Sequence, residues 1–210
     1  MMMKKTRWEK FFHEKIHKIF TERKNVVDIG GSLRISEGRG NRRDPAQVWI
    51  ADLIAENAVR YQVLDPTPKY HPDIIGDIHA LPFPDNSQEA IICLAVLEHV
   101  EDPFTAVREL RRVLKPDGFV MVYVPFLYYF HAEKNYYHDY WRYTHEAVKL
   151  LFKDFSFMET CAVRGALATW LHLSPLGRIK LLVAIANLLD RVFGKMDSRQ
   201  VSGYYVFVIK

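Results

Sequence analysis

Hydrophobic and polar positions alternate between two regimes along this chain. Near the start, "TRWEKFFHEKIHKIF" places Trp8, Phe11, Phe12, Ile16, Ile19 and Phe20 at helical spacing, which predicts an amphipathic helix within residues 1–24 that covers a domain. Short apolar runs follow, each bounded by turn residues. Val26 to Ile29, "YQVLD" ending at Asp65, "DIIGDI" around Asp73 to Ile78, "EAIICLAV" and "FVMVYVP" read as strands, the last two apolar without interruption, as strands buried on both faces are.

Helical patterns separate these runs. One lies around Ala46 to Glu56, and "DPFTAVRELRRVLKPDG" carries Phe104, Val107, Leu110, Val113 and Leu114 on one face with "PDG" as its stop. Two more strand candidates, "FSFMETCAV" and "GYYVFVIK", close the chain, separated by an insertion with helices of its own. The alternation predicts an α/β fold: a doubly wound, Rossmann-like sheet, mostly parallel and covered on both faces. Ligands then belong at the carboxyl ends of its strands. Residues 1–210 are expected to form a single domain, with 165–195 as an apolar helical insertion.

The insertion, "GALATWLHLSPLGRIKLLVAIANLLDRVFGK", has no run long enough to span a bilayer. Ser174 as cap, Pro175 in the first turn and Gly194 at the end describe one helix of about nineteen residues. Its "LLVAIANLL" is apolar nearly all round and needs covering by the domain, by a second copy in a homodimer, or by a membrane surface flanked by Arg178, Lys180, Arg191 and Lys195.

Charge and cysteines narrow the classes. The formal charge of +4 is spread without a basic block, so no nucleic-acid partner is expected. Cys93 and Cys161 sit in apolar runs without metal-ligand spacing, so neither a metal site nor a disulfide framework is expected, and a reducing cytoplasm fits. The N-terminal stretch lacks the apolar core of a signal peptide.

The candidate chemistry sits at the predicted strand ends. Gly30 and Gly31 form a turn after the first strand, where backbone N–H groups can approach a ligand. Asp65 ends the second strand, where an acid accepts ribose hydroxyls. Asp77, with Ile78 beside it, ends the third, where a carboxylate can take an exocyclic amine. A nicotinamide site would need further glycines and a closer acid. Beyond the fifth strand, "PFLYYFHAEKNYYHDYWRYTHEAVKLLF" concentrates His131, Tyr136, Tyr137, His138, Asp139, Arg142 and Tyr143, ahead of a helix capped by Thr144.

The stretch "GDIHALPFPDNSQEAIICLAVLEHVEDPFTAVRELRRVLKPDGFVMVYVP" resembles the class I S-adenosylmethionine-dependent methyltransferases, in particular the methyltransferase type 11-like group. The resemblance runs from about Val26 to Pro125 and is most specific from Asp77 to Gly118. It implies a seven-stranded sheet with the last strand antiparallel and S-adenosylmethionine as cofactor. By matching position, Asp28, Gly30 and Gly31 look like the methionine-end motif, Asp65 like the ribose acid, Asp77 and Ile78 like adenine contacts, and Leu94 and Ala95 like the pocket floor. Glu98 and His99 belong to the "LEHV" signature and read as structural.

Two departures stand out: "DIGGSLR" replaces the usual DxGxGxG, and Asp117 replaces a glycine in "KPGG". The polar loop behind the glycines offers Arg34 or Arg39 to a carboxylate. "YHDYWRYT" resembles an element of methyltransferases from bacterial surface-glycan neighbourhoods. That resemblance puts His138, Asp139 and Arg142 at the active-site mouth, with His138, His131 and Asp139 as catalytic candidates and Tyr137 and Arg142 as substrate-binding candidates. The expected function is methylation of a small-molecule or glycan-type acceptor in the cytoplasm or peripheral to its membrane. The competing expectation is a non-catalytic binding or scaffold protein that keeps the fold.

Overall fold

The structure, a computed structural model, describes residues 5–35 and 44–210. Helix α1 (Arg7–Glu22) starts at a capping box in which the Thr6 side chain accepts from the Glu9 amide and the Glu9 carboxylate accepts from the Thr6 amide. Its buried stripe of Phe11, Phe12, Ile16, Ile19 and Phe20 lies on one face of a seven-stranded sheet.

The strands are β1 (Asn25–Ile29), β2 (Arg60–Asp65), β3 (Ile74–Ile75), β4 (Gln88–Leu94), β5 (Leu114–Pro125), β6 (Phe157–Val163) and β7 (Gly203–Ile209), in the order β3-β2-β1-β4-β5-β7-β6. The first five pair in parallel, and β7 runs antiparallel between β5 and β6. Period-two alternation divides the core. Val26, Ala90 and Ile92 pack with α1 and α2 (Val48–Glu56) on one face, while Val27, Ile91 and Cys93 pack with α3 (Pro103–Val113) and α4 (His145–Leu151) on the other. Thr144 caps α4, accepting from the Ala147 amide at 3.1 Å.

Three local expectations change. The "DIIGDI" strand shrinks to two residues, leaving Asp77 in the loop beyond it. Helix α3 ends at Val113 and the chain turns directly into β5, so "KPDG" lies inside the strand, with Asp117 at φ 59°. That left-handed conformation is the one a glycine adopts freely, and aspartate tolerates it better than most residues.

The insertion is also not one helix. The Ser174 hydroxyl donates back to the Leu171 carbonyl instead of capping, Pro175–Arg178 forms a separate 3-10 turn, and α6 (Lys180–Val192) starts only after it. It doubles back on α5 (Ala166–His172), sealed by Ala168, Leu171 and Ala186. The buried carboxylate of Asp190 on α6 accepts from the amides of Leu167 and Ala168, capping α5 from its neighbour. The domain leaves the outer face uncovered: Trp170, Leu181 and Val192 remain exposed. Among the described residues no helix is long and apolar enough to cross a membrane.

Candidate active site

A cleft of about 450 Å³ opens at the carboxyl ends of β1 to β4. Gly30, Asp65, Asp77, Ile78, Leu94 and Ala95 line one part, and His131, Tyr137 and His138 another. Ala95 takes φ 55° immediately after β4, a conformation disfavoured for an alanine and held by its amide donating to the Tyr123 carbonyl.

The glycine turn works differently from its sequence reading. Gly30 needs its φ of +80°, but its N–H donates to the Leu64 carbonyl at 2.7 Å and is therefore committed to the fold. Asp28 does not line the cleft. It is fully buried and accepts from the Leu33 amide at 3.1 Å, the Tyr61 hydroxyl at 2.6 Å and the Ser32 hydroxyl at 3.5 Å, so it braces the turn from beneath. Burial raises its carboxyl pKa to about 6 against the lowering pull of these donors. Gly31 also lies outside the lining, at φ +59°, with Val63 close beneath it. Ser32 and Arg34 do line it; Arg39 is outside the described residues.

Asp65 presents its carboxylate to a hydroxyl. Both oxygens accept from Tyr136 at 3.0 Å, and Oδ1 also accepts from the Thr67 amide at 3.0 Å. Tyr136 was named in the sequence only as part of an aromatic cluster, yet it reaches the point where a ribose would be sought. The adjacent Lys69–Glu133 ion pair ties the same segment down. Asp77 accepts from the His79 amide at 2.9 Å and meets His79 Nδ1 at 2.7 Å, and the amide bond holds its carboxyl below the usual range.

The segment after β5 arches over this cleft, and its far limb is fastened to the "LEHV" turn. The amides of Tyr140 and Trp141 donate to the Glu98 carbonyl, the Trp141 indole to Val100 and the Tyr143 hydroxyl to Leu97. Asp139 and Arg142 hold this arch together and do not line the cleft. Arg142 meets Asp139 at 2.6 and 2.8 Å and also donates to the Tyr128 and Tyr129 carbonyls; the Asp139 side chain is fully covered. Arg142 drives the Asp139 carboxyl down to about 2, which unsuits it as a proton acceptor.

Tyr137 packs against His99, with ring centroids 4.2 Å apart, and His138 stands exposed on the wall beside Tyr140. The facing Glu98 carboxylate raises the pKa of His131, while burial lowers that of His99. His99 lines the cleft and Glu98 lies buried behind it, both from the "LEHV" turn that the sequence reads as structural. An acid and a histidine side by side at a strand end, with another histidine in the arch, was the available signal.

Residues 38–122 match the family model described as "Methyltransferase domain". The chain is 33% identical over 109 residues to the malonyl-[acyl-carrier protein] O-methyltransferase of Halorhodospira halophila, covering 51% of this chain and 37% of that one. It is also 33% identical over 109 residues to the demethylmenaquinone methyltransferase of Renibacterium salmoninarum, covering 48% and 46%. It spans less than half the length of these curated relatives. A SAM dependent methyltransferase from Archaeoglobus fulgidus superposes with a TM-score of 0.59 at 12% identity, covering 96% of this chain and 92% of that one. The chain has the fold of that S-adenosylmethionine-dependent methyltransferase over nearly its whole length, and its residues 38–122 match the methyltransferase domain model.

Proposed function

We propose that the protein transfers a methyl group from S-adenosylmethionine to a hydroxyl-bearing small-molecule or glycan-type acceptor. The observation that carries this is Asp65 at the end of β2, already accepting a hydroxyl inside a cleft at the carboxyl edge of the sheet. The residues present fit the cofactor: a carboxylate that accepts hydroxyls, a second carboxylate at Asp77, and apolar walls from Ile29, Ile78 and Leu94. When bound, S-adenosylmethionine supplies a methyl carbon on a positively charged sulfur.

In this reading Asp65 accepts the ribose hydroxyls, Asp77 takes the adenine amine, and Ile78 and Leu94 exclude water around the base. The aromatic arch aligns the acceptor, with Tyr137 and Tyr140 offering faces that suit a sugar or a small ring. His138, exposed on the cleft wall, takes the proton from the acceptor hydroxyl. Arg142 serves by fixing Asp139 and the arch. The two named relatives carry different acceptors in their names, so the acceptor class rests on the cleft. A partner-holding, non-catalytic protein is the second reading, favoured by the uncovered apolar face of α5 and α6.

The test is calorimetric titration with S-adenosylmethionine and S-adenosylhomocysteine. Saturable binding is expected, weakened about tenfold or more by Asp65→Ala through loss of charge-assisted hydrogen bonds. His138→Ala should leave that affinity intact and lower turnover in an acceptor screen. Well-folded protein that binds neither ligand would move the weight to the second reading.

A further inference from the structure

Glu98 is buried without a role in the reading above. Its side chain is 1% exposed, and among the described residues neither carboxylate oxygen has a hydrogen-bond partner. Buried carboxylates are sustained by donors, by a counter-charge or by a cation. No donor reaches this one, so the groups that face it decide the matter.

Two imidazoles do. Nε2 of His99 lies 3.9 Å and Nε2 of His131 3.7 Å from Oε1 of Glu98, both too far for a hydrogen bond. Each ring is held from its other side: His99 Nδ1 sits 2.6 Å from the His138 carbonyl, and His131 Nδ1 3.1 Å from the Tyr129 carbonyl. Carbonyls only accept, so both Nδ1 atoms carry hydrogen, and in its neutral form each ring turns an Nε2 lone pair toward Glu98.

Three ligand atoms thus converge within 4.8 Å of one another. Around an ion with bonds of about 2 Å they would close to roughly 3.3 Å, a movement within the reach of side-chain rotation. Asp139 stands behind His131, with Oδ2 3.3 Å from its Nδ1, and is itself fixed by Arg142. A carboxylate behind a ligating histidine is the outer support that metal sites use. Both histidines line the cleft, so the remaining coordination positions would open onto it.

We propose that Glu98, His99 and His131 bind one divalent transition-metal ion of the manganese, iron, cobalt or zinc class. Two imidazoles and one carboxylate with open positions suit such borderline ions. The proposal departs from the expectation, drawn from the cysteines, that the chain holds no metal. Its use rests on the methyltransferase reading: an acceptor oxygen in an open position would give up its proton to His138 more readily and keep its lone pair aimed into the cleft. A proton on His131 is the competing occupant, pairing that ring with Glu98 when no ion is present.

Chelator-treated full-length protein titrated with Zn2+ and Mn2+ by calorimetry, and with Co2+ by visible absorption, tests this. One ion per chain is expected, with Co2+ bands of low-symmetry coordination. His131→Ala, in the arch and away from the sheet core, should weaken binding by roughly tenfold or more, as should Glu98→Gln, while His17→Ala on exposed α1 should not. Absence of stoichiometric binding, or binding indifferent to His131→Ala in protein with an unchanged circular dichroism spectrum, overturns the proposal. So does nuclear magnetic resonance showing His131 still protonated at Nε2 under excess Zn2+. Titrating S-adenosylmethionine into the same preparation separates the two readings: metal without cofactor binding upholds the site and sinks its use, and cofactor without metal binding upholds the methyltransferase reading and overturns the site.

Discussion

Asp28 and Glu98 are two carboxylates buried a strand apart, one near the end of β1 and the other just past β4, and they are treated in opposite ways. Asp28 receives three donors and lies under the glycine turn. Glu98 receives none among the described residues and faces two histidines that open to the cleft. Burial alone therefore does not assign a role. The donors around Asp28 account for its position by structure, whereas among the described residues the Glu98 carboxylate faces only imidazoles beyond hydrogen-bond reach.

Replacement should separate them most strongly at Asp28. Asp28→Ala strands the Leu33 amide and the Tyr61 hydroxyl in the interior and should cost on the order of 3 kcal/mol in urea unfolding. The pH dependence follows from its raised pKa. The unfolded carboxyl ionises near 3.8 and the folded one near 6, so the unfolded state gives up its proton first as pH rises. The stability tied to Asp28 is complete below about 4 and is lost as pH rises to 6. Asp28→Asn should flatten this slope in thermal melts, and an unchanged slope would assign it to another group.

Glu98→Gln should act in the other direction. In chelator-treated protein at pH 8, removing a buried charge that has no donors should leave stability unchanged or raise it by about 1 kcal/mol. A large loss in the same unfolding assay would mean that Glu98 is structural after all. The smallest effect is expected at Tyr136, whose hydroxyl competes for Asp65. Tyr136→Phe should tighten S-adenosylhomocysteine binding severalfold, the scale of one hydrogen bond, as read by calorimetry. Weaker binding would show that the hydroxyl serves the ligand and does not compete with it.

The parts of this molecule legible in the sequence are those set by local pattern. "EAIICL" and "FVMVYVP" announce buried parallel strands because both faces are covered, and Thr144 announces a helix start because its side chain acts within three residues. Asp65, Asp77 and Ile78 were legible as lining because strand order sends them to one edge, and Leu94 and Ala95 only through the family resemblance. The α5–α6 hairpin was not, because Ser174 and Pro175 read as a helix start in isolation, while Ser174 is drawn back to Leu171 and Asp190 caps the helix before it. The Asp65–Tyr136 and Glu98–His131 pairings were hidden for a similar reason. Each joins residues far apart in sequence whose meeting depends on how the arch lies across the sheet, which no periodicity records.

The Tyr136 hydroxyl on Asp65 has a consequence for timing. A ligand with its own hydroxyls arrives at an acid that is already engaged, under a segment also tied by Lys69 to Glu133. Entry then waits on release of that segment, so the observed association rate should level off with ligand concentration at the frequency with which the arch lifts. The same tyrosine keeps the acid shielded from bulk water while no ligand is bound.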